Sequence, residues 1–287
     1  MKLCFNEATA RDCSDLEKDI VLCAKAGFEY IELRFDMIYN YLQSHDVDDI
    51  KKLLKENRIK PHALNAVYTY ADLFGENDDL EKNLSFMREF LAACSLAKEL
   101  EANYIILVPP MNPAGFRVPY DRDPNTARTD FLRIASRLAD IADDYGVKLC
   151  LEPVGAPKSS IKTVGETVSI IRELKKENVG IVVDAYNLYM AYMDSRYEEL
   201  ELLEPDWIFA VHINNADDTG PSLEARCLCD SGVIDLNAFL TPIKEKGYDG
   251  MVSIEVFRPE YWKMKPEDLI PLAYETTRKV LKENECL

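Results

Sequence analysis

Several features that would direct the search elsewhere are scarce or missing from this sequence. No apolar run approaches the roughly 20 residues that a membrane-spanning helix needs, and the apolar run near the amino terminus is too short for the core of a signal peptide. Basic residues are outnumbered, with 34 Lys and Arg against 51 Asp and Glu. The resulting net charge of −17 disfavours nucleic acid and anionic membranes as partners. We therefore predict a cytoplasmic protein that acts on a small molecule.

Cysteine and glycine patterns disfavour two further classes of site. The eight cysteines are scattered through apolar helix and strand patterns, where a free thiol behaves as a small hydrophobic residue. Cys227 and Cys229 form a single C-x-C with no second pair, so two loop thiols are favoured over a zinc knuckle. No G-x-G-x-x-G follows the first predicted strand, which disfavours a doubly wound dinucleotide-binding sheet.

Short apolar runs alternate with amphipathic segments along the whole chain. The runs that predict β-strands are residues 2–5, 30–33, 60–64, 104–108, 148–151, 180–183, 208–213 and 251–255. Helical periodicity fills the intervals, for example at 15–26, 79–100 and 130–145. Eight β-then-α units without a Gly/Ser/Pro-rich linker predict an α/β fold, a single (β/α)8 TIM barrel over residues 1–287, since such barrels take about 250 residues. The long segment 109–129 is predicted to be a lid loop.

Each of the last four predicted strands contains, or is directly followed by, a side chain that can bind a metal. These residues are Glu152, Asp184, His212 and Glu255. Taken singly, a glutamate could pair with an arginine, the aspartate could cap the next helix and the histidine could belong to the core. The four lie about one β/α unit apart, and a barrel brings the carboxyl ends of its strands together. Carboxylates with one imidazole suit Mn²⁺, Zn²⁺, Co²⁺ or Mg²⁺ and fit copper or iron–sulfur poorly.

The sequence around these residues resembles the xylose-isomerase-like TIM barrels of the sugar phosphate isomerase/epimerase family, and the inosose isomerases in particular. The matching segments cover nearly the whole chain: "MKLCFNEAT" (1–9), "IKPHALNA" (59–66), "YGVKLCLEPVG" (145–155), "VGIVVDAYN" (179–187), "HINN" (212–215), "GVIDL" (232–236) and "SIEVFRPEYW" (253–262). The resemblance implies one divalent metal, Mn²⁺ or Zn²⁺ before Co²⁺ or Mg²⁺, held by Glu152, Asp184, His212 and Glu255. It also allows a homo-oligomer.

The same resemblance implies a reaction on a cyclic keto-polyol, the conversion of 2-keto-myo-inositol to 1-keto-chiro-inositol in carbohydrate catabolism. Glu152 and Glu255 would be the catalytic base and acid, moving a proton between adjacent carbons through an enediol. This agrees with general chemistry, since a metal polarises a ketone and a nearby carboxylate can then remove the α-proton.

Further residues are implied, or suggested by their position, as substrate contacts. Matching the relatives, Arg226 and Arg258 are expected to bind the substrate, with a surface ion pair as the alternative for Arg226. Asn6, Glu7, Arg34 and Asn65 end the first three strands and could line the polyol site, whereas His62 is expected to pack or to support a ligand. Asn187, where relatives carry His, is also expected to contact the substrate, and it departs from the family pattern as does the Asn214–Asn215 pair, where relatives carry Asp. Cys229–Gly232 replaces their Pro-Gly-x-Gly turn, and an asparagine cannot shuttle protons.

Three other functions remain alternatives. A metal-dependent epimerase, or a β-eliminating lyase acting on a keto-sugar or 3-oxo-glycoside, would use the same proton abstraction. A DNA-repair nuclease shares the barrel and metal logic, but it needs more histidine ligands and a basic groove, and this chain has three histidines and a charge of −17. A non-catalytic sugar-binding protein would be favoured by the loss of a metal ligand, and all four are present.

Overall fold

A closed barrel of eight parallel strands organises the computed structural model, which describes residues 1–287. The barrel strands are β1 Lys2–Asn6, β2 Tyr30–Arg34, β3 Lys60–Tyr68, β4 Tyr104–Val108, β5 Lys148–Leu151, β6 Val179–Asp184, β7 Ile208–Ile213 and β10 Met251–Ile254. Two short strands, β8 Asn215–Ala216 and β9 Arg226–Cys227, form a separate antiparallel pair. Around the barrel the strand order is β1-β10-β7-β6-β5-β4-β3-β2. The predicted TIM barrel is confirmed.

Helices surround the barrel and return the chain from one strand to the next. They are α1 Leu16–Ala26, α2 Phe35–Tyr41, α3 Val47–Asn57, α4 Leu80–Glu99, α5 Pro124–Asp144, α6 Val164–Leu174, α7 Ala185–Tyr192, α8 Leu236–Glu245 and α9 Pro266–Glu283. Short 3-10 helices lie at Glu7–Ala10, Glu198–Leu202, Pro205–Trp207, Leu223–Ala225 and Tyr261–Lys263. Aspartate side chains accept hydrogen bonds from the first turns of α1, α4 and α8, which satisfies donors that have no partner within a helix.

The predicted lid is shorter than its sequence pattern indicated. Residues 124–129, assigned to the loop 109–129, belong to the first turns of α5. The Asp123 side chain accepts hydrogen bonds from the backbone N–H groups of Asn125 and Thr126, and Pro124 occupies the first helical turn, where its missing N–H costs nothing. Apolar periodicity becomes visible only further along the helix, so it placed the start too late. The loop therefore spans residues 109–123.

The strands supply a continuous apolar interior between barrel and helices. The larger of two clusters contains 72 buried hydrophobic residues from Leu3 to Cys286, and the smaller contains seven. Strand β6 is buried at all six positions, as expected where a parallel strand is covered on both faces. None of the helices is long and apolar enough to cross a membrane. The polar side chains that interrupt this interior are therefore the ones that need a chemical explanation.

One such side chain, Asp19 of α1, gives a prediction about stability. Asp19 is fully buried, and burial raises its pKa to about 8. An unfolded aspartate ionises near pH 4, so the folded state holds a proton that the unfolded state loses, and stability falls as pH rises from about 4 to 8. Asp19→Asn removes the ionisable group, so at pH 8 it should raise the free energy of unfolding by at least about 1 kcal/mol. This corresponds to a rise in Tm of roughly 2–4 °C.

Calorimetry at pH 5 and pH 8 measures this effect. The variant should show a smaller loss of Tm between the two pH values than the parent protein. Glu17→Gln, on the exposed side of the same helix, is the matched control and should keep the parent's pH dependence. An equal loss of Tm in Asp19→Asn and the parent would contradict the prediction.

Candidate metal centre

Four strand ends deliver the predicted metal-binding side chains to one place. Glu152 directly follows β5, Asp184 is the last residue of β6, His212 lies in β7 and Glu255 directly follows β10. All four are buried, and one ligand atom from each lies within 4.8 Å of the others. The structure thus brings together the side chains that the sequence had placed on separate strands.

The ring of His212 shows that this cluster fits a cation. Its Nε2 lies 3.0 Å and 3.1 Å from the two carboxylate oxygens of Glu32, so this nitrogen donates to Glu32. Its Nδ1 is buried without a hydrogen-bond partner. That atom lies 3.5 Å from Glu255 Oε2, 3.8 Å from Asp184 Oδ2 and 4.0 Å from Glu152 Oε1. A nitrogen lone pair that faces three carboxylates is stabilised by a positive ion between them.

The charges of the cluster also favour a cation. Burial raises the pKa of Glu152 to about 8, with a further contribution from the charge of Glu255. Burial likewise raises the pKa of Asp184, although Arg226 opposes the shift. Burial opposes ionisation of Glu255, but His212 and Arg226 outweigh it and lower the pKa. For His212, burial is outweighed by Glu32 and Glu255, and the pKa rises well above its usual value. Protons thus carry part of the positive charge that a metal would supply.

Arg226 lies inside the cluster and is not a surface ion pair. Its side chain is buried, and Nη1 contacts Glu255 Oε2 at 2.5 Å and Asp184 Oδ2 at 3.1 Å. The guanidinium lies 5.3 Å from the ring centre of Tyr186 and 5.2 Å from that of Phe257. Its Nε is buried without a partner, so a donor is free for a ligand oxygen. Arg226 therefore holds two carboxylates and still offers a hydrogen bond.

Several asparagines orient the carboxylates. Asn6 and Asn65 each donate from Nδ2 to Glu255 Oε1 at 3.0 Å. Asn187 donates to Glu152 Oε1 at 2.9 Å. Asn187 reaches this position because α7 passes very close to Gly155, where a Cβ would lie 2.0 Å from the Asn187 carbonyl oxygen.

Asn214 and Asn215, which follow β7, make different hydrogen bonds. Asn214 donates to Asp184 Oδ2 at 3.2 Å and to the Glu255 carbonyl at 3.0 Å, so it orients the cluster. Asn215 instead accepts from the backbone of Ala216 and Ile234, at 2.9 Å and 2.8 Å. It fixes the loop that contains the replaced Pro-Gly-x-Gly turn.

Other residues suggested by the sequence lie outside the cavity above the cluster. Arg258 pairs with Asp217 at 2.7 Å and donates a hydrogen bond to the Arg226 carbonyl at 3.3 Å. It therefore helps to hold the Arg226 backbone in place. Arg34 pairs with Asp36 at 2.9 Å. Glu7 accepts from the Arg34 backbone N–H at 2.6 Å and is fully buried.

His62 packs in the barrel interior, as the sequence favoured. It is fully buried, and its ring meets that of Tyr104 edge-on, with the centroids 5.2 Å apart. Burial lowers its pKa to about 4, so the ring is neutral near pH 7.

A cavity opens above the carboxylates and has two unlike halves. The inner half presents Glu152, Glu255, Asn65, Asn187 and Arg226. The outer half includes the apolar side chains of Met111, Phe116, Met190, Leu223 and Phe257, together with the polar groups of Tyr68 and Lys158.

Two loops build the outer wall of the cavity. Met111 and Phe116 come from the loop 109–123, and Leu223 follows β8. The loops meet where Arg117 Nε donates to the Pro221 carbonyl at 3.3 Å. This apolar wall could not be predicted from the sequence, because isolated Met and Phe residues in a loop carry no periodicity.

Glu32 is the residue of the site that the sequence reasoning missed. It lies in the middle of β2, is fully buried and contacts His212 and Asn65. A charged residue inside the otherwise apolar run of this strand was the available signal.

A family model and several known proteins are similar to this chain. The model described as "Xylose isomerase-like TIM barrel" matches residues 20–282. An inosose isomerase from Halalkalibacterium halodurans is 33% identical over 291 residues, covering 100% of this chain and 99% of that protein. The solved structure of a protein named IolI, with a bound zinc atom, superposes with a TM-score of 0.89 at 33% identity and covers 99% of each chain. A ketose 3-epimerase from Arthrobacter globiformis is 28% identical over 122 residues, or 42% of this chain and 40% of that protein.

Proposed function

This chain belongs to the xylose isomerase-like TIM barrel family and is a sugar isomerase or epimerase, and from that premise we propose that it isomerises 2-keto-myo-inositol to 1-keto-chiro-inositol. The observation that carries the proposal is the partnerless Nδ1 of His212, which faces three carboxylates at the carboxyl end of the barrel. The full-length similarity to an inosose isomerase supports the choice of substrate.

A divalent metal would be held by Glu152, Asp184, His212 and Glu255. Three carboxylates and one imidazole suit Mn²⁺ or Zn²⁺, with Co²⁺ and Mg²⁺ also compatible, and the zinc bound to IolI supports this assignment. The bound ion would polarise the ketone and lower the energy of the negative charge that develops on the substrate oxygens.

Glu152 and Glu255 are proposed to transfer the proton. One removes the proton from the carbon beside the ketone, and the other, in its protonated form, gives a proton to the former carbonyl carbon. Proton exchange with solvent then returns both carboxyl groups to their starting states. The hydroxyl proton of the first carbon moves to the oxygen of the second, so an enediol links the two ketones. Asn187 fixes the Glu152 carboxylate, and Asn6, Asn65 and Arg226 fix that of Glu255. Preorganised bases of this kind contribute about 10²–10⁴-fold to such reactions.

Proton NMR of 2-keto-myo-inositol in D₂O tests the proposal. The protein is loaded with Zn²⁺ or Mn²⁺, and Mn²⁺ is removed before the spectra are recorded. We expect deuterium on the carbon next to the ketone together with 1-keto-chiro-inositol, and we expect neither with Glu255→Gln. Glu245→Gln, on the exposed end of α8, is the control and should behave as the parent protein. A metal-loaded parent protein that neither exchanges deuterium nor forms product would overturn the assignment.

A second candidate function is favoured by the apolar outer half of the cavity. A free polyol carries hydroxyl groups all around its ring, and Met111, Phe116 and Leu223 cannot hydrogen-bond to them. The same proton abstraction on a keto-sugar with an apolar substituent would give an epimerase or a β-eliminating lyase on a 3-oxo-glycoside. Incubation with a 3-oxo-glycoside of an aromatic alcohol tests this, since a lyase releases the alcohol and an epimerase inverts one carbon. Inertness toward this glycoside, with turnover of the free keto-polyol, would reject the second candidate.

A further inference from the structure

Glu32 reaches across the barrel to His212. Strands β2 and β7 are not neighbours, because β1 and β10 separate them, so the contact passes through the barrel interior. Both carboxylate oxygens of Glu32 lie within hydrogen-bond distance of His212 Nε2, at 3.0 Å and 3.1 Å. Both side chains are fully excluded from solvent. Removing a carboxylate from water costs free energy, and specific hydrogen bonds are needed to offset that cost in the barrel interior.

We propose that Glu32 is a positioning residue that fixes the ring orientation and tautomer of His212, so that Nδ1 presents its lone pair to the metal. The inference rests on the proposed function in one respect, the presence of a divalent metal. With Nε2–H donated to Glu32, the neutral ring carries its only lone pair on Nδ1. That atom is the one that faces Glu152, Asp184 and Glu255. Without the carboxylate, nothing on the Nε2 side would select this tautomer.

Asn65 extends this arrangement to a second proposed metal ligand. Its single side-chain nitrogen lies 3.0 Å from Glu32 Oε1 and 3.0 Å from Glu255 Oε1. Both amide hydrogens are thereby used, one for each carboxylate. His212, Glu32, Asn65 and Glu255 thus form one connected path between the ends of β7 and β10. We therefore expect a substitution of Glu32 to displace both His212 and Glu255. Such a substitution should weaken metal binding more than one that affects a single ligand.

Metal affinity, measured without substrate, tests the role of Glu32. Zn²⁺ and Mn²⁺ binding to Glu32→Gln is compared with the parent protein by competition against a chromophoric chelator. We expect a 10- to 100-fold weaker affinity, the range typical of lost hydrogen-bond partners of metal ligands. Glu29→Gln, exposed just before the same strand, is the matched control and should leave the affinity unchanged.

Nitrogen-15 NMR of the histidine ring gives a readout that a merely structural role would not move. In the zinc-loaded parent protein, Nε2 of His212 should carry the proton and Nδ1 the metal, and Glu32→Gln should reduce that population. If Glu32→Gln does not fold, Glu32→Asp serves instead, since it keeps the charge but shortens the side chain, and a weaker affinity is again expected.

The outcomes separate the two proposals. Unchanged affinity and tautomer in a folded Glu32 variant would overturn the role of Glu32 and leave the proposed function intact. Weaker binding by the variant, with no turnover by the metal-loaded parent, would support Glu32 and reject the proposed reaction. A parent protein that binds neither metal would overturn both.

Discussion

Glu152→Gln should reduce kcat by about 10²–10⁴-fold when the protein is saturated with metal, because the substitution removes a proton acceptor from the proposed base and acid pair. The amide keeps the size of the side chain and an oxygen that can accept from Asn187, so the fold and the cavity should remain. The loss should therefore appear in kcat, while KM changes little. Initial rates followed by NMR at several metal concentrations separate this effect from weaker metal binding.

A matched control makes the Glu152 result specific. Glu177→Gln changes an exposed glutamate shortly before β6 and should leave kcat within twofold of the parent value. If Glu152→Gln kept a tenth or more of the parent kcat with metal bound, Glu152 would not transfer the proton. Its role would then be limited to binding the ion.

The convergence of the four candidate metal ligands could be predicted from the sequence because it depends only on strand order. A parallel barrel brings the carboxyl ends of its strands together whatever the loops do. Glu152, Asp184, His212 and Glu255 each follow or lie in a clear β-branched or apolar run, so their convergence required no knowledge of packing. The alternative roles considered for single residues, a helix cap for the aspartate and an arginine pair for a glutamate, are also compatible with the site. Asp184 both caps α7 and faces the cluster, and Glu255 both pairs with Arg226 and faces His212.

The partners of these residues could not be predicted, because they depend on side-chain direction across the barrel. Glu32 lies on β2, far from His212 in sequence, and a lone carboxylate in a strand gives no sign of what it contacts. Both Arg226 and Arg258 were expected to bind the substrate, with a surface ion pair as the alternative for Arg226 only. In the structure Arg226 enters the cluster, while Arg258 pairs with Asp217 outside it. Isolated charges reveal their roles only once the loops that carry them are folded.

The asparagine replacements also gain a physical meaning from the structure. At the position where relatives carry His, Asn187 donates to Glu152, and Asn214 donates to Asp184 and to the Glu255 backbone. These amides supply hydrogen bonds without adding charge to a cluster that already holds three carboxylates. Because an asparagine cannot carry a proton, the proposed proton transfer relies on the glutamates.

Lowering the pH from 8 to 6 should weaken divalent-metal affinity by roughly 10²–10⁴-fold, since the metal must displace one or two protons from its ligands. In the metal-free protein burial raises the pKa of Glu152 to about 8, and the neighbouring carboxylates raise that of His212 well above its usual value. Below pH 8 these groups are protonated in the metal-free protein. Each proton that the metal must displace therefore makes the apparent affinity tenfold weaker for every unit by which the pH is lowered.

Chelator competition at pH 6, 7 and 8 measures the slope, and titration calorimetry in buffers of different ionisation enthalpy counts the protons released. His45→Gln is the control, because His45 is exposed and lies outside the cluster, so its variant should keep the parent slope. An affinity that is flat from pH 6 to 8 would mean that the four ligands are already deprotonated without metal. The positive charge of Arg226 alone would then hold the three carboxylates ionised, and Arg226→Gln should restore a pH-dependent affinity.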